Sequence, residues 1–248
     1  MKTIYIMWLR EVKRYLRSKS RIIGSLGQPI LFLLALGYGL GPIFQKAGAG
    51  NYFDFLAPGI IGMSIIFTAI FSGIQMIWDR QFGFLKETLV APVNRLAIMF
   101  GRTLGGATVA TIQGVVVLVI VIIAGFRPAN WGLVPVAILF MLLVALLFAA
   151  LGAFVASNLD DMQGFQLIMN FLVMPLFFLS GALFPVQGLP TVLAGIVRFD
   201  PLSYGIDSFR ILLVNNGIFG IGMDLVVLGS VTIVFLALAS YSFSKIQV

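Results

Sequence analysis

The chain has 248 residues, of which 60% are hydrophobic and only 10% are charged, so it has too few polar side chains to cover the surface of a water-soluble fold. It contains no cysteine and no histidine, which excludes disulfides, thiol chemistry and histidine-based catalysis or metal binding. The net charge of +7 is placed at the ends of apolar segments, where it suits anionic lipid headgroups better than nucleic acid. The composition therefore predicts an integral membrane protein that contacts membrane lipids and no nucleic acid.

Residues 1–21 predict an amphipathic helix that lies in the membrane interface. Basic residues continue up to Arg21, before the first long apolar run, so a cleavable signal peptide is not expected. The apolar side chains on the opposite face recur at helical spacing, with Trp and Tyr suited to the headgroup level. A solvated basic leader is the alternative interpretation. The apolar face consists of Ile4, Trp8, Val12, Tyr15 and Leu16.

Six uncharged apolar segments follow, each with about the twenty residues that an α-helix needs to cross a bilayer. Of the 16 Lys and Arg residues, twelve fall on one side of the membrane and four on the other if these segments all cross. The excess of positive charge marks the cytoplasmic side, so both termini are predicted to be cytoplasmic. The predicted spans are residues 22–41, 58–78, 103–126, 132–157, 163–184 and 225–243.

Residues 185–224 form the longest predicted extracytoplasmic segment. Residues 192–199 and 209–214 are apolar but too short to cross, and Asp200-Pro201 breaks the chain between them. They predict short re-entrant helices, with ordinary loop helices as the alternative. On the other side of the membrane, Asp160 and Asp161 precede the fifth span, and a helix cap explains this pair more simply than a metal or acid site.

Two side-chain patterns lie within the spans. In the fourth span, small residues repeat every four positions and predict close helix packing, and Gly101 and Gly105 do the same near the start of the third. In the fifth span, amides at i, i+3 and i+7 form one polar face, which is costly in lipid without partners. We expect this face to line a substrate path, with interhelical hydrogen bonding alone as the alternative. The small residues are Ala145, Ala149, Ala153 and Ser157; the path residues are Gln163, Gln166, Asn170 and Met174, together with Gln28, Ser64, Thr68 and Gln75.

Two features that the sequence lacks limit the transport mechanisms that it could support. No predicted span contains Asp, Glu, Lys, Arg or His, which disfavours a proton-coupled carrier. The chain also lacks the glycine-rich loop ending in Lys and Ser or Thr that cradles nucleotide phosphates. The chain is therefore not expected to bind ATP, to hold a cofactor or metal, or to be an enzyme by itself.

The inner loop of residues 79–102, between the second and third spans, is charged and carries aromatic residues. Helix-forming residues between Gly83 and Pro92 predict a short exposed helix. Since such a helix has little to pack against in its own chain, a cytoplasmic protein partner is expected.

Four motifs in order along the chain resemble the membrane subunits of type-2 ABC exporters, and the nearest branch resembles the daunorubicin-resistance type of drug-efflux permease. The resemblance covers nearly the whole chain. It implies an all-α, polytopic membrane protein with six transmembrane helices, an N-terminal interfacial helix, a cytoplasmic coupling helix and short extracytoplasmic re-entrant helices. The motifs are residues 53–59 (FDFLAPG), 84–95 (FLKETLVAPVNR), 178–186 (FLSGALFPV) and 200–210 (DPLSYGIDSFR).

The same resemblance implies a cytoplasmic-membrane complex of two membrane subunits, usually identical, and two cytoplasmic ATPase subunits that hold Mg-ATP. In this family the first inner loop docks on the ATPase and the first and fifth helices border the dimer interface. The docking residues would be the apolar anchors Phe82, Phe84 and Leu85, the rim charges Arg80, Lys86 and Glu87, and Thr88.

The sequence divides into an N-terminal interfacial helix, 1–21, and a transmembrane domain, 22–248. The apolar path without fixed charge favours a hydrophobic or amphipathic substrate, such as a drug-like compound or a lipid. Two alternatives stay open: a permease for lipid-linked polysaccharides, and a membrane scaffold or channel that needs no ATPase.

Overall fold

The computed structural model describes residues 2–46, 52–84, 93–185 and 190–245, and these form α-helices joined by turns, with no strand among them. A short 3₁₀ turn, Trp131–Leu133, precedes α6. The helices are α1 Lys2–Arg17, α2 Lys19–Lys46, α3 Tyr52–Phe71, α4 Ile74–Gln81, α5 Arg95–Ile123, α6 Val134–Ser157, α7 Met162–Leu179, α8 Thr191–Phe199, α9 Pro201–Val214 and α10 Ile221–Ser244.

Six helical segments in the described residues are long and apolar enough to cross a membrane, which confirms the predicted all-α polytopic fold. The second combines α3 and α4, which are separated only by a turn at Ser72 and Gly73. The end of the bundle that holds the N-terminus of α2 is predicted to be cytoplasmic and is called the inner end below. The segments are Lys19–Ile43, Tyr52–Gln81, Arg95–Ile123, Trp131–Ser157, Met162–Leu179 and Ile221–Ser244.

The second and third spans extend further into the inner loop than the apolar runs indicate. The third begins at Arg95 because the side chain of Asn94 caps it and accepts a hydrogen bond from the backbone N–H of Leu96 at 2.9 Å. The predicted spans contain no Asp, Glu, Lys, Arg or His, but the longer spans of the structure do include such residues. Asp79 and Arg102 are buried near the inner end, and the last span contains the fully buried Asp224.

Helix α1 packs along α5, so its apolar face contacts protein, with Val12 and Tyr15 buried and Leu16 exposed. Glycine permits this close approach. A Cβ atom at Gly101 would lie 2.7 Å from the carbonyl oxygen of Ile4, and one at Gly105 would lie 2.6 Å from Cβ of Glu11. The predicted role of the two glycines in close helix packing is thus confirmed.

Helices α3, α5 and α6 form the centre of the bundle, and α10 packs against α6. The stripe of small residues on α6 is buried, as predicted for close packing. Gly152 on the same helix meets the backbone of α3 at Ile70, where no side chain would fit. Helix α7 begins at Met162 because Asp161 caps it, accepting a hydrogen bond from the backbone N–H of Gly164 at 2.6 Å.

The outer segment contains two helices, but the predicted start of the second was wrong. Helix α9 begins at Pro201 rather than at residue 209, because Asp200 accepts a hydrogen bond from the N–H of Leu202 at 2.8 Å and Pro201 occupies the first helical position. Nearly all of α9 is buried against α3, α6 and α10. Arg210 on this helix donates a hydrogen bond to the carbonyl oxygen of Gly181 at 2.6 Å and lies over the ring of Phe55.

Candidate functional site

A partly open cavity of about 380 Å³ lies toward the inner end and is lined by residues of α1, α2, α3, α4 and α5. It brings together four of the path residues predicted from the sequence: Gln28, Ser64, Thr68 and Gln75. Further polar residues on its wall are Glu11, Tyr15, Arg21, Ser25 and Ser72, and its apolar lining includes Pro29, Met63, Phe67, Phe71, Ile74 and Val109. The cavity therefore combines hydroxyl and amide groups with an extended apolar wall.

Several polar groups of the cavity bond to their own helices or to each other. Ser64 donates to the carbonyl oxygen of Ile61 at 3.1 Å, and Arg21 donates to the amide oxygen of Gln75 at 3.3 Å. In contrast, the side chains of Gln28 and Thr68 have no hydrogen-bond partner in the described part of the chain. Gln28 is exposed and Thr68 is half-buried, so both side chains can bond to a polar occupant of the cavity.

The other four predicted path residues lie elsewhere. They are exposed on the surface of α7, and none of them lines the cavity: Gln163, Gln166, Asn170 and Met174. Phe171 on the same helix is 84% exposed. In one copy of the chain the eight residues therefore form two separate groups, four on the wall of the cavity and four on the exposed surface of α7. The common substrate path expected from the sequence stays a prediction.

An ion cluster that the sequence analysis missed lies at the inner end of the second span. The carboxylate of Asp79 accepts hydrogen bonds from Arg10 of α1, at 2.7 Å, and from Arg102 of α5. Arg14 Nη2 lies 4.0 Å from the same carboxylate. Only 6% of the Asp79 and Arg102 side chains is exposed, so this cluster fixes the start of the inner loop against two other helices.

Next to Asp79, aromatic side chains project from the inner end of the second span and the start of the inner loop. Trp78, Phe82 and Phe84 are 44%, 61% and 55% exposed, and the ring centroids of Trp78 and Phe82 lie 5.2 Å apart. They line a second cavity of about 420 Å³ together with Arg10, Arg14, Gln75 and Asp79. This surface, named the aromatic patch, is defined by Trp78, Phe82 and Phe84. Exposed aromatic side chains of this kind are typical anchors of protein interfaces.

Arg80, predicted as a rim charge of the docking segment, is partly buried and points to the turn before α7. Its guanidinium donates to the carbonyl oxygens of Leu159 and Ser157, both at 3.2 Å, and to the carboxylate of Asp160. Arg80 thus ties the inner loop to the connection between α6 and α7. The remaining predicted docking residues, Leu85, Lys86, Glu87 and Thr88, lie outside the described residues.

The outer end is closed by buried polar residues on and next to α9. Asp207 accepts hydrogen bonds from the backbone N–H groups of Ile218 and Phe219, both at 2.8 Å. Burial raises the pKa of Asp200 to about 7. Burial lowers the pKa of Arg210 to about 10, against the opposing charge of Asp207. The fully satisfied Asp207 identifies this region as a structural cap.

Comparisons with known proteins agree with this architecture. The ABC-2 type transporter family matches residues 2–214. The chain is 30% identical over 214 residues to "Nodulation protein J" of Rhizobium leguminosarum bv. trifolii, covering 86% of this chain and 79% of that protein. It is 28% identical over 219 residues to "Putative transport permease ycf38" of Cyanophora paradoxa, covering 84% and 73% of the two proteins. The chain therefore belongs to the ABC-2 type transporter family and is a multi-pass permease subunit of an ABC transporter.

Proposed function

We propose that the chain is the membrane subunit of an ATP-driven exporter that moves a hydrophobic or amphipathic compound across the cytoplasmic membrane. Two cytoplasmic ATPase subunits bind Mg-ATP and supply the energy, and both termini of the chain face the cytoplasm. The observation that carries the proposal is the aromatic patch at the inner end of the second span. Its large exposed rings support the attachment of a protein partner at this position.

Contacts around the aromatic patch connect the start of the inner loop to several helices. Asp79 joins the start of the inner loop to α1 and α5, and Arg80 joins it to the turn between α6 and α7. A displacement of the docking segment would therefore act on several helices together. ATP binding drives such a change only if the closed ATPase pair prefers one arrangement of the membrane subunits over the other.

A second copy of the chain would complete the membrane domain. Helices α2, α7 and α10 are the least buried of the six spans, and on α2 and α7 the side chains of Leu31, Tyr38 and Leu167 are each at least two-thirds exposed. The amides of Gln163 and Gln166 lie on this open side of α7. Pairing α2 and α7 of two identical copies would cover both apolar and amide surfaces, and the amides would then border a path between the protomers.

The experiment that tests the docking proposal compares two exposed phenylalanines. Phe82→Ala removes an anchor of the aromatic patch, whereas Phe199→Ala removes a side chain that is 92% exposed at the outer side. We expect Phe82→Ala to weaken ATPase co-purification about tenfold or more, as for an interface anchor, and Phe199→Ala to leave it unchanged. Equal ATPase recovery with wild type and Phe82→Ala, at equal amounts of folded protein, would contradict the proposal.

A further inference from the structure

We infer that the cavity between α1, α2, α3, α4 and α5 is a binding site, lined by residues of a single protomer, for an amphipathic molecule with an uncharged, hydrogen-bonding head group. This inference depends on the proposed export function in one respect only, which is that the molecule in the cavity is the transported compound. The site is separate from the amide face of α7, which lies on the surface of the chain.

The polar groups of the cavity define the head group. Gln28 offers an amide and Thr68 a hydroxyl, and neither has a partner within the described residues. The hydroxyl of Ser25 already donates to the carbonyl oxygen of Ile22 at 3.0 Å, so its oxygen remains able to accept. Donors and acceptors are thus both present, which matches a head group that carries hydroxyl or amide functions.

The charges on the cavity wall disfavour an ionic head group. Glu11 and Arg21 are the acidic and the basic side chain among the residues that line the cavity. Glu11 lies 3.6 Å from Arg14, and Arg21 donates to Gln75. Glu11 thus already has a partner of opposite charge, so a cationic head group would find no unpaired carboxylate in the cavity. Arg21 bonds only to a neutral amide, but it is exposed, so its charge lies at the mouth of the cavity. A charged head group deeper in the cavity would lose its hydration without a counter-charge beside it.

The apolar wall defines the rest of the molecule. Met63, Phe67 and Val109 lie further from the inner end than Glu11, Arg21 and Gln75 do, because the chain direction of α3 and α5 places them deeper in the bundle. An apolar tail would lie against this deeper wall while the head group stays near the inner end. The volume of about 380 Å³ is within the range of small-molecule sites and holds a single short chain or a drug-sized body.

The test uses the absence of native cysteine in the chain. Ser25→Cys introduces a thiol that lines the cavity, and Ser20→Cys introduces one on the same helix, exposed and outside the cavity. Each variant of the full chain is placed in phosphatidylcholine nanodiscs, and its labelling by a water-soluble maleimide is followed. The probes are octyl glucoside, octyl sulfate and octyltrimethylammonium, each below its micelle concentration.

Octyl glucoside should slow labelling of the Ser25→Cys variant about tenfold at ten times its dissociation constant, since the fraction of free sites equals 1/(1 + [L]/Kd). Labelling of the Ser20→Cys variant should not change. Adding Gln28→Leu and Thr68→Val to the Ser25→Cys background should remove the protection. Octyl sulfate and octyltrimethylammonium should protect at least several-fold more weakly.

The inference is overturned if octyl glucoside gives no saturable protection, or if it slows labelling of both cysteine variants equally. It is also overturned if either charged probe protects better than octyl glucoside, or if the Ser25→Cys variant is never labelled. No ATPase and no ATP are present in this assay. Loss of ATP-driven export in the complete complex would therefore contradict the proposed function and leave the binding result standing.

Discussion

The carboxylate of Asp79 lies 2.7 Å from Nη2 of Arg10, and it also accepts a hydrogen bond from Arg102. One side chain at the inner end of the second span therefore joins α1, α4 and α5. The site is nearly closed to solvent, so the paired charges cannot be replaced by hydration if one of them is removed.

Removal of the Asp79 carboxylate should strongly destabilise the chain. Asp79→Ala leaves the guanidinium of Arg102 buried without its counter-charge, and we expect the free energy of unfolding to fall by about 3 to 5 kcal/mol. Unfolding in mixed micelles by titration with a denaturing detergent measures this change. Combining Asp79→Ala with Arg102→Met should recover much of the loss, because no buried charge then remains.

The control for this prediction is Asp160→Ala. The Asp160 side chain is 89% exposed, and its partner Arg80 keeps backbone acceptors at Ser157 and Leu159. Its loss should cost less than about 1 kcal/mol, as for exposed ion pairs. Equal losses from Asp79→Ala and Asp160→Ala would contradict the assignment of Asp79 as the centre of a buried cluster.

A second prediction concerns the contact between α3 and α6. Gly152→Ala places a methyl group against the backbone of Ile70, which cannot move aside as a flexible side chain would. Overpacking of this kind should lower the free energy of unfolding by about 1 to 3 kcal/mol. Gly229→Ala is the matched control, because a Cβ atom there meets nothing within 4 Å. It should be neutral or stabilising, and a comparable loss in both variants would contradict the packing.

Much of the fold follows from the sequence because each of its signals is local. An apolar run of sufficient length predicts a span whatever its neighbours are. Asp161 and the Asp200-Pro201 pair mark helix starts through bonds to residues two or three positions away. The small residues on α6 predict packing because they recur at helical spacing.

The remaining features depend on contacts between distant residues. Asp79 and Arg102 each resemble a charge in a solvated loop, and only their contact across 23 positions permits their burial. The start of α9 was missed because Ser203, Asp207 and Ser208 give it the composition of a polar loop. The polar side chains of these residues form hydrogen bonds within the fold; for example, Ser208 donates to the carbonyl oxygen of Gly205 at 2.7 Å. Whether a polar residue in a span faces the cavity or the surface depends on how the helix is rotated about its axis, which is likewise set by contacts with distant residues.

A third prediction concerns the pH dependence of the outer cap. Burial raises the pKa of the Asp200 carboxyl from 3.8 to about 7, so the folded chain retains a proton that the unfolded chain releases above pH 3.8. Stability should therefore fall as pH rises from about 4 to about 7, by at most about 4 kcal/mol. Asp200→Asn keeps a capping oxygen without the charge and should remove this component.

The measurement compares the free energies of unfolding of wild type and Asp200→Asn at pH 4, 5, 6, 7 and 8. The free energy of unfolding of Asp200→Asn minus that of wild type should increase as pH rises, and should level off above about pH 7. A difference that is constant with pH, or that changes in favour of wild type, would show that the Asp200 carboxyl is ionised in the folded cap throughout this range.

The central claim is that a separate ATPase drives export through the inner loop. Its most direct test is ATP hydrolysis and compound export by the chain reconstituted in liposomes with the ABC ATPase that co-purifies with it, across a panel of hydrophobic drugs and lipids. For Glu87→Gln, in the predicted docking segment, we expect compound-stimulated hydrolysis and export to fall about tenfold or more, equivalent to about 1.4 kcal/mol of coupling, with the chain still folded. Unchanged stimulated hydrolysis and export in this variant, or a folded chain that recruits no ATPase, would contradict the account.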